Sequence, residues 1–238
     1  MENQRNVIRT DADFWDLAYL DWPVRWGKKP SRTGELAAQF AREDSTVVEV
    51  GPGAYPRDLL HIYQETQCQD LRLIEEASRG REMTLEWLTK EKVTGANYKG
   101  NFLNLQLPRN SVNVLFSHRV IHLFTSEQET QKFEQRCYDC IRPGGHLILG
   151  ARDLRERDAR MDDLAQIEPD IWEKKSRPGH FFRFWSPDRF RTVFGARFEI
   201  DDFVEAEEVE SYSDQGPSEE KALYTVMVAR KKSKIALQ

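Results

Sequence analysis

The stretch VVEVGPGAYPRDLL, residues 47 to 60, runs β-branched residues into Glu49 and then sets Gly51 and Gly53 around a proline, ahead of a helix-compatible segment. Glycine has no side chain, so the backbone there comes within contact distance of a ligand, and the first amides of the following helix point toward it. Glu75 closes the run LRLIE about 20 residues further on, where a nucleoside-binding fold places the acid that accepts hydrogen bonds from ribose hydroxyls. Together these signals describe a cofactor seated at the carboxyl edge of a sheet. Each also has a plainer reading. Gly-Pro-Gly is a tight turn in many proteins, and Glu75 with Glu76 is a solvated strand end in others.

The elements that must position these residues follow from the alternation along the chain. Strand-length apolar runs at 46–50, 71–75, 97–100, 112–117 and 146–151 alternate with longer helical patterns, which is the signature of a parallel sheet covered by helices. PRDLLHIYQET and SRGREMTLEWLTKEK have helical spacing, and SEQETQKFEQRCYDCI opens with Ser126 three residues before Glu129, a capping box. RPGG is expected to end that helix. A polar insertion at about 152–185 ends in the aromatic burst HFFRFW. Ser186 then caps a helix with Pro187 at its first position. RFEIDDFVEA and ALYTVMVAR read as two more strands, joined by an acidic Gly/Pro-containing loop into a long hairpin at a sheet edge. The fold expected is α/β, a doubly wound, Rossmann-like, mostly parallel sheet with an antiparallel final strand. An N-terminal helical cap covers 1–44, a cofactor-binding core 45–151, a lid 152–185, and a closing helix and strand pair 186–238, all in one domain.

Composition narrows the function classes. With 238 residues, 39% hydrophobic and 32% charged, the chain is wet but retains dense core-forming runs. No segment approaches the roughly 18 apolar residues needed to span a bilayer, and no basic-then-apolar leader opens the sequence. A cytoplasmic protein is expected. A net charge of -5, with ARKKSK the one evident basic cluster, gives no broad footprint for nucleic acid. Cys68, Cys137 and Cys140 are read as reduced thiols. The C-x-x-C of the last two lies in a helical pattern without a second ligand pair, so it reads as helix packing and no metal is expected.

Taken over residues 45 to 152, these motifs resemble the class I S-adenosylmethionine (SAM)-dependent methyltransferases. VVEVGPGAY resembles the family's first motif and LIEEAS its second. YKGNFLNLQLPRNSVNVLFSHRVIHLF is similar to the segment that meets adenine and runs through the fourth strand, and CIRPGGHLILG to the approach to the fifth. The resemblance implies SAM as cofactor, held by Glu49, Gly51, Gly53, Ala54, Tyr55, Glu75, Asn101, Phe102 and Ser117. Three of these depart from the usual pattern. Glu49 replaces the commoner aspartate, Asn101 replaces an acid but still accepts through its carbonyl oxygen, and Tyr55 stands where a third glycine is usual. Tyr55 is expected to alter the seat of the methionine end.

Methyl transfer from a sulfonium is an in-line displacement that needs alignment and exclusion of water. Where the acceptor carries a proton, a base helps. His118 and His122, just past the fourth strand, are the candidates, and the resemblance favours His122 because VIHLF matches the family's histidine position. Either residue also reads as a half-buried histidine at a helix start. The aromatic segments FWDLAYLDWPVRW and HFFRFW lie where a substrate lid is built, or else fasten the cap to the core. The first is also similar to the entry segment of the small-molecule thiopurine and tellurite methyltransferase groups. The expected activity is therefore SAM-dependent methylation of an O or N atom of a small molecule. One alternative is a SAM-fold protein that binds the cofactor without methyl transfer or uses it for another reaction. The other is a nicotinamide-dependent oxidoreductase, which fits less well because Pro56 occupies the last glycine position of G-x-G-x-x-G. The sequence assigns no oligomeric state.

Overall fold

In the computed structural model of the protein, the structure describes residues 12–21, 27–93, 97–175, 179–211 and 219–233. Two helices, α1 (Ala12–Asp21) and α2 (Arg32–Phe40), precede β1 (Thr46–Val50), α3 (Arg57–Thr66), β2 (Asp70–Glu75), α4 (Ser78–Lys90), β3 (Asn97–Lys99), β4 (Val112–His118), α5 (Glu127–Cys140) and β5 (Ile141–Arg152). Then come α6 (Leu154–Ala159), the short strands β6 (Leu164–Glu168), β7 (Ile171–Lys174) and β8 (Phe181–Phe182), α7 (Pro187–Phe194), β9 (Phe198–Ser211) and β10 (Glu219–Lys231). Trp22 and Trp26 of the N-terminal aromatic segment lie outside the described residues.

The main sheet has the order β3-β2-β1-β4-β5-β10-β9, with β3 to β5 parallel and β10 antiparallel to both β5 and β9. The chain steps outward from β1 through β2 to β3 and then returns to β4, so the strand order reverses between β1 and β4 and a crevice opens there. The expected mostly parallel Rossmann-like sheet is present. Its strands are buried on both faces, which is why they read as nearly unbroken apolar runs. Val48, Val50, Leu115, Leu149 and Phe133 pack on one face with Trp185. Val47, Val114, Phe116, Ile148 and Leu59 pack on the other with Tyr224.

Local signals set the helix ends. Ser126 accepts from the Glu129 amide and Glu129 reaches back to the Ser126 amide, completing the capping box of α5. Ser186 accepts from the Arg189 amide with Pro187 at the first position of α7. Helix α5 stops at Cys140, before the Pro-Gly-Gly. That turn instead lies inside β5, where the pairing with β4 jumps from Val112–Ile141 to Val114–His146 and Gly144 takes a φ of 75°. Cys137 and Cys140 are buried in the core, and burial pushes the Cys140 thiol up to about 12.

Two stretches expected as irregular are ordered strand. Part of the polar insertion forms a second, antiparallel sheet, β6-β7-β8, around Leu164, Trp172, Phe182 and Phe184. The β9–β10 hairpin runs well into the acidic segment expected as a loop, pairing as far as Ser211–Glu219. A bridge between Asp153 and Trp185 ties both ends of the insertion together, and the Trp185 ring, fully buried, packs against Phe190 and Phe194 of α7. Arg183 adds an ion pair to Glu127 and a bond to the Thr125 carbonyl, joining the insertion to the start of α5. No helix among the described residues is long and apolar enough to cross a membrane.

Trp185 is thus the anchor of the insertion, and Trp185→Ala is expected to lower stability by about 3–5 kcal/mol through the cavity it leaves. Urea unfolding monitored by circular dichroism checks this, and a loss below about 1 kcal/mol would contradict the anchor role.

Candidate functional site

A cavity of about 570 Å3 lies over the carboxyl ends of β1, β2 and β4, where the strand order reverses. Its floor is the β1–α3 turn, from Glu49 to Gly53, with Arg57 and Asp58. Ile74, Glu75 and Glu76 at the end of β2 and Gly100 to Leu103 after β3 form one wall. His118, Arg119 and Val120 at the end of β4 form the other. Trp15 and Tyr19 of α1 and Phe181 of β8 roof it.

The glycines of the turn are required by both conformation and space. Gly51 and Gly53 each have a φ of 75°, the left-handed region that side chains rarely adopt. A Cβ at Gly51 would overlap Val120 Cγ2, and one at Gly53 would sit 3.2 Å from the Tyr19 hydroxyl. Tyr19 also lies over Gly80 of α4, where a Cβ would be 2.6 Å from its ring. The roof helix therefore rests on the glycine turn. Trp15 stacks on Tyr19 within the helix, and Asp16 fastens it to the start of α4 by accepting from the Arg79 amide at 2.7 Å.

Two buried carboxylates face the cavity. Glu75 accepts from the Gly53 amide at 3.0 Å and from the Ala77 amide at 2.9 Å, so it locks the turn to the start of α4. Burial still pushes its carboxyl up to about 7, against the lowering effect of those amides. Glu49 is 3% exposed, and its Oε2 has no hydrogen-bond partner among the described residues. Burial holds its carboxyl well above the usual range, the Asp58 and Glu75 charges add to this, and Arg57 opposes it. Asn101 accepts from the Leu103 amide at 2.8 Å and donates to Glu76 at 3.1 Å, and Phe102 beside it packs edge-on to Phe133.

Six of the nine expected cofactor residues, Glu49, Gly51, Gly53, Glu75, Asn101 and Phe102, line the cavity. The other three do not. Ala54 packs beneath Tyr19 with Ala77. Tyr55 turns away, edge-on to Trp87 of α4 at 5.1 Å, so its bulk does not enter the cavity. Ser117 donates to the Val50 carbonyl at 2.8 Å and fastens β4 to β1.

The two histidines differ. His118 lines the cavity, but both ring nitrogens are engaged, Nδ1 with Thr33 Oγ1 at 2.9 Å and Nε2 with Glu208 at 3.1 Å. Glu208 also takes a bidentate bond from Arg57 at 3.0 and 3.1 Å. Burial would raise the Glu208 carboxyl, but His118 and Arg57 outweigh it and hold it far below the usual range. An ionised carboxylate only accepts, so Nε2 carries the ring proton, and Nδ1 accepts from the Thr33 hydroxyl. Burial lowers His118, which keeps that neutral form. His122, the favoured base of the sequence reading, is 3% exposed and is not among the cavity-lining residues. Its Nδ1 has no hydrogen-bond partner among the described residues, and burial, then Arg152 and Arg119, push the imidazole well below its ordinary value.

Sequence reasoning missed the polar wall behind His118. Ser31 donates to Asp58 from both its amide and its hydroxyl at 2.6 Å, and Thr33, Arg57 and Glu208 complete the set. Arg57 and Asp58 directly follow the glycine turn, a nearness that was available as a signal. Glu208 is 90 residues from His118 and carries none. Among the described residues, no group of three His, Cys, Asp or Glu side chains is placed to hold a metal ion.

Residues 48–149 match the family described as a methyltransferase domain. No curated protein matches the chain by sequence. Among solved structures, one described for the conversion of a disulfide bond into a thioacetal group during echinomycin biosynthesis is similar with a TM-score of 0.71 at 12% identity, covering 94% of each chain. A SAM-dependent methyltransferase of Methanosarcina mazei is similar with a TM-score of 0.64 at 15% identity, over 84% of this chain and 98% of the other. The [4+2]-cyclase SpnF gives 0.67 at 13%, over 96% and 98%. At such identities the likeness shows a shared fold. Residues 48–149 thus match a methyltransferase domain carried on a mostly parallel, Rossmann-like sheet, and SAM is the cofactor that such a domain implies.

Proposed function

We propose that the protein transfers a methyl group from SAM to an O or N atom of a small molecule bound under α1 and β8. The observation that carries the reading is the pairing of a glycine cradle with a buried carboxylate, Glu49, which lines the cavity and whose Oε2 has no protein partner among the described residues. A buried acid of this kind calls for a cation, and the ammonium of the cofactor's methionine end supplies one. Gly51 and Gly53 give the backbone access, and Glu75 keeps two of its four lone-pair sites for ribose hydroxyls after accepting from Gly53 and Ala77. The Asn101 carbonyl oxygen has a second lone pair for the adenine amine, with Phe102 and Ile74 beside the ring. When bound, the cofactor supplies a methyl group on a positively charged sulfur. The chain's part is to align the acceptor and keep water out, and Trp15, Tyr19 and Phe181 do the second over the cavity.

The size of the cavity, about 570 Å3, and the net charge of -5 favour a small-molecule acceptor over a nucleic acid. In this reading residues 1–44 are the cap, 45–151 the cofactor core, 152–185 the lid and 186–238 the closing helix and strand pair of one domain. A second reading, cofactor binding without methyl transfer, is favoured by the engaged nitrogens of His118 and by the fold shared with a [4+2]-cyclase. Incubation with SAM and metabolite pools separates the two, because methyl transfer adds one methyl to a product by mass spectrometry.

Calorimetric titration tests the cofactor site. Glu75→Ala is expected to weaken SAM by about 1.5–3 kcal/mol, the range for hydrogen bonds to a charged group, and equal affinities would remove Glu75 from the site. The pH dependence has a definite sign. Burial pushes the Glu75 carboxyl up to about 7 and raises Glu49 as well, while ribose hydroxyls are best accepted by Glu75 as the carboxylate and an ammonium ligand by Glu49 as the carboxylate. SAM affinity should therefore rise as pH passes through about 7 with release of a proton, and Glu75→Gln should flatten the curve there. In the free protein the linkage runs the other way. An unfolded chain ionises Glu75 near its ordinary value while the fold keeps the proton to about 7, so stability should fall as pH rises between those values. Thermal unfolding across that range measures it, with Glu75→Gln expected to show a shallower fall.

A further inference from the structure

The two guanidinium groups that line the cavity, Arg57 and Arg119, are matched by acids. Arg57 lies 4.0 Å from Asp58 and pairs with Glu208, and the Arg119 charge also acts on Glu208, so this wall is close to neutral. Four further carboxyl groups line the cavity, Glu49, Glu75, Glu76 and Glu129, and among the described residues no other lysine or arginine lines it with them. SAM brings a sulfonium, an ammonium and a carboxylate, which is one net positive charge. Even with the proton that burial keeps on Glu75 to about pH 7, the cavity and its cofactor hold more negative groups than positive ones. A second cation is the ligand that evens the balance.

Of these acids, Glu129 has an open acceptor that the cofactor reading does not use. It is partly exposed, both bonds that it accepts in the capping box of α5 fall on Oε2, and Oε1 has no hydrogen-bond partner among the described residues. Those bonds come from Ser126, directly after Phe124 and Thr125, which line the cavity as well. Arg183 draws the insertion to the same segment, its amide donating to the His122 carbonyl at 2.7 Å and its guanidinium to the Thr125 carbonyl. Phe181 of β8 therefore comes to the end of the cavity that Phe124 and Glu129 occupy. Arg183 and Arg189 both pair with Glu127, and neither lines the cavity. A carboxylate oxygen that accepts N–H bonds and ring faces that attract positive charge are the parts that hold an ammonium group.

We propose that the methyl acceptor is a small molecule carrying an ammonium group, that Glu129 with Phe124 and Phe181 holds it by that group, and that a different atom of the molecule receives the methyl. The inference rests on the SAM reading above. A carboxylate beside an amine favours the protonated form, and a protonated nitrogen has no lone pair with which to attack carbon. The ammonium is thus a handle that positions the acceptor, and Glu129 is the residue that selects for it. The helix does not need this charge, because Gln at the same position completes a capping box as Glu does.

The test is calorimetric titration of protein saturated with S-adenosylhomocysteine, the demethylated cofactor, using 2-phenylethylamine, which is protonated at neutral pH, and its uncharged counterpart 2-phenylethanol. The amine is expected to bind about tenfold or more tightly than the alcohol, and Glu129→Gln to bring the two affinities within about threefold of each other. Affinity of that variant for S-adenosylhomocysteine should stay at the wild-type value, which reports an intact fold and cofactor site. With SAM in place of S-adenosylhomocysteine, mass spectrometry should find no methyl on the amine nitrogen. Equal affinities of the wild type for the two probes, no binding of the amine, a preference that survives in Glu129→Gln, or N-methylation of the amine would overturn the proposal. So would a loss of S-adenosylhomocysteine affinity in Glu129→Gln, which would place Glu129 in the cofactor site. A wild type that does not bind S-adenosylhomocysteine would overturn the SAM reading and this inference with it.

Discussion

The buried ion pair between Arg57 and Glu208 is the constraint around which the site is arranged. It joins the first turn of α3 to β9, the outer strand of the sheet, with Arg57 9% and Glu208 14% exposed. Removing one partner of such a pair leaves an uncompensated buried charge, at a cost of about 3–5 kcal/mol. Because Glu208 also accepts from His118, and His118 from Thr33, the same pair fixes the end of β4 and the start of α2. Gly150 of β5 completes the fit, since a Cβ there would run into Thr33 and His118. Five elements thus meet at one knot beside the cavity, and Arg57, Glu208, His118, Thr33 and Gly150 are all far apart in sequence.

A second constraint lies at the glycine turn. Glu75 holds the Gly53 and Ala77 amides with its two oxygens, while Thr84 of α4 donates to the Gly53 carbonyl at 2.7 Å. The turn is therefore shaped from the β2 and α4 side before any ligand arrives, which is the condition for binding without a large ordering cost. The roof makes use of the same missing side chains. Tyr19 fits over Gly53 and Gly80, so the floor of the cavity and its cover are matched by one pair of glycines.

What the sequence made legible is what local chemistry decides. The five parallel strands, the capping box at Ser126, the cap at Ser186 and the glycine turn with Glu75 each depend on residues a few positions apart or on one repeated period. Tyr55 was misread because its place in a motif says nothing about which way a ring turns, and the ring found Trp87. His122 was favoured by alignment, yet the chain buries it under the insertion, where its carbonyl accepts from the Arg183 amide at 2.7 Å. Glu208 lay in a segment read as an acidic loop. Its role depends on the hairpin extending far enough to pair Ala222 with Glu208, a register set by the strands and not by any neighbour in sequence.

The position of β10 in the sheet has a consequence for how the molecule is assembled during synthesis. Strand β9 is made before β10 but pairs only with it, and β10 lies between β9 and β5. Residues 198–211 therefore have no strand partner until 219–231 have been made. The pairing among β1 to β4, which carries the glycine turn and Glu75, uses earlier chain only. The chain that carries the glycine turn and Glu75 is thus made well before Glu208 can reach Arg57, so the polar wall of the cavity is the last to close.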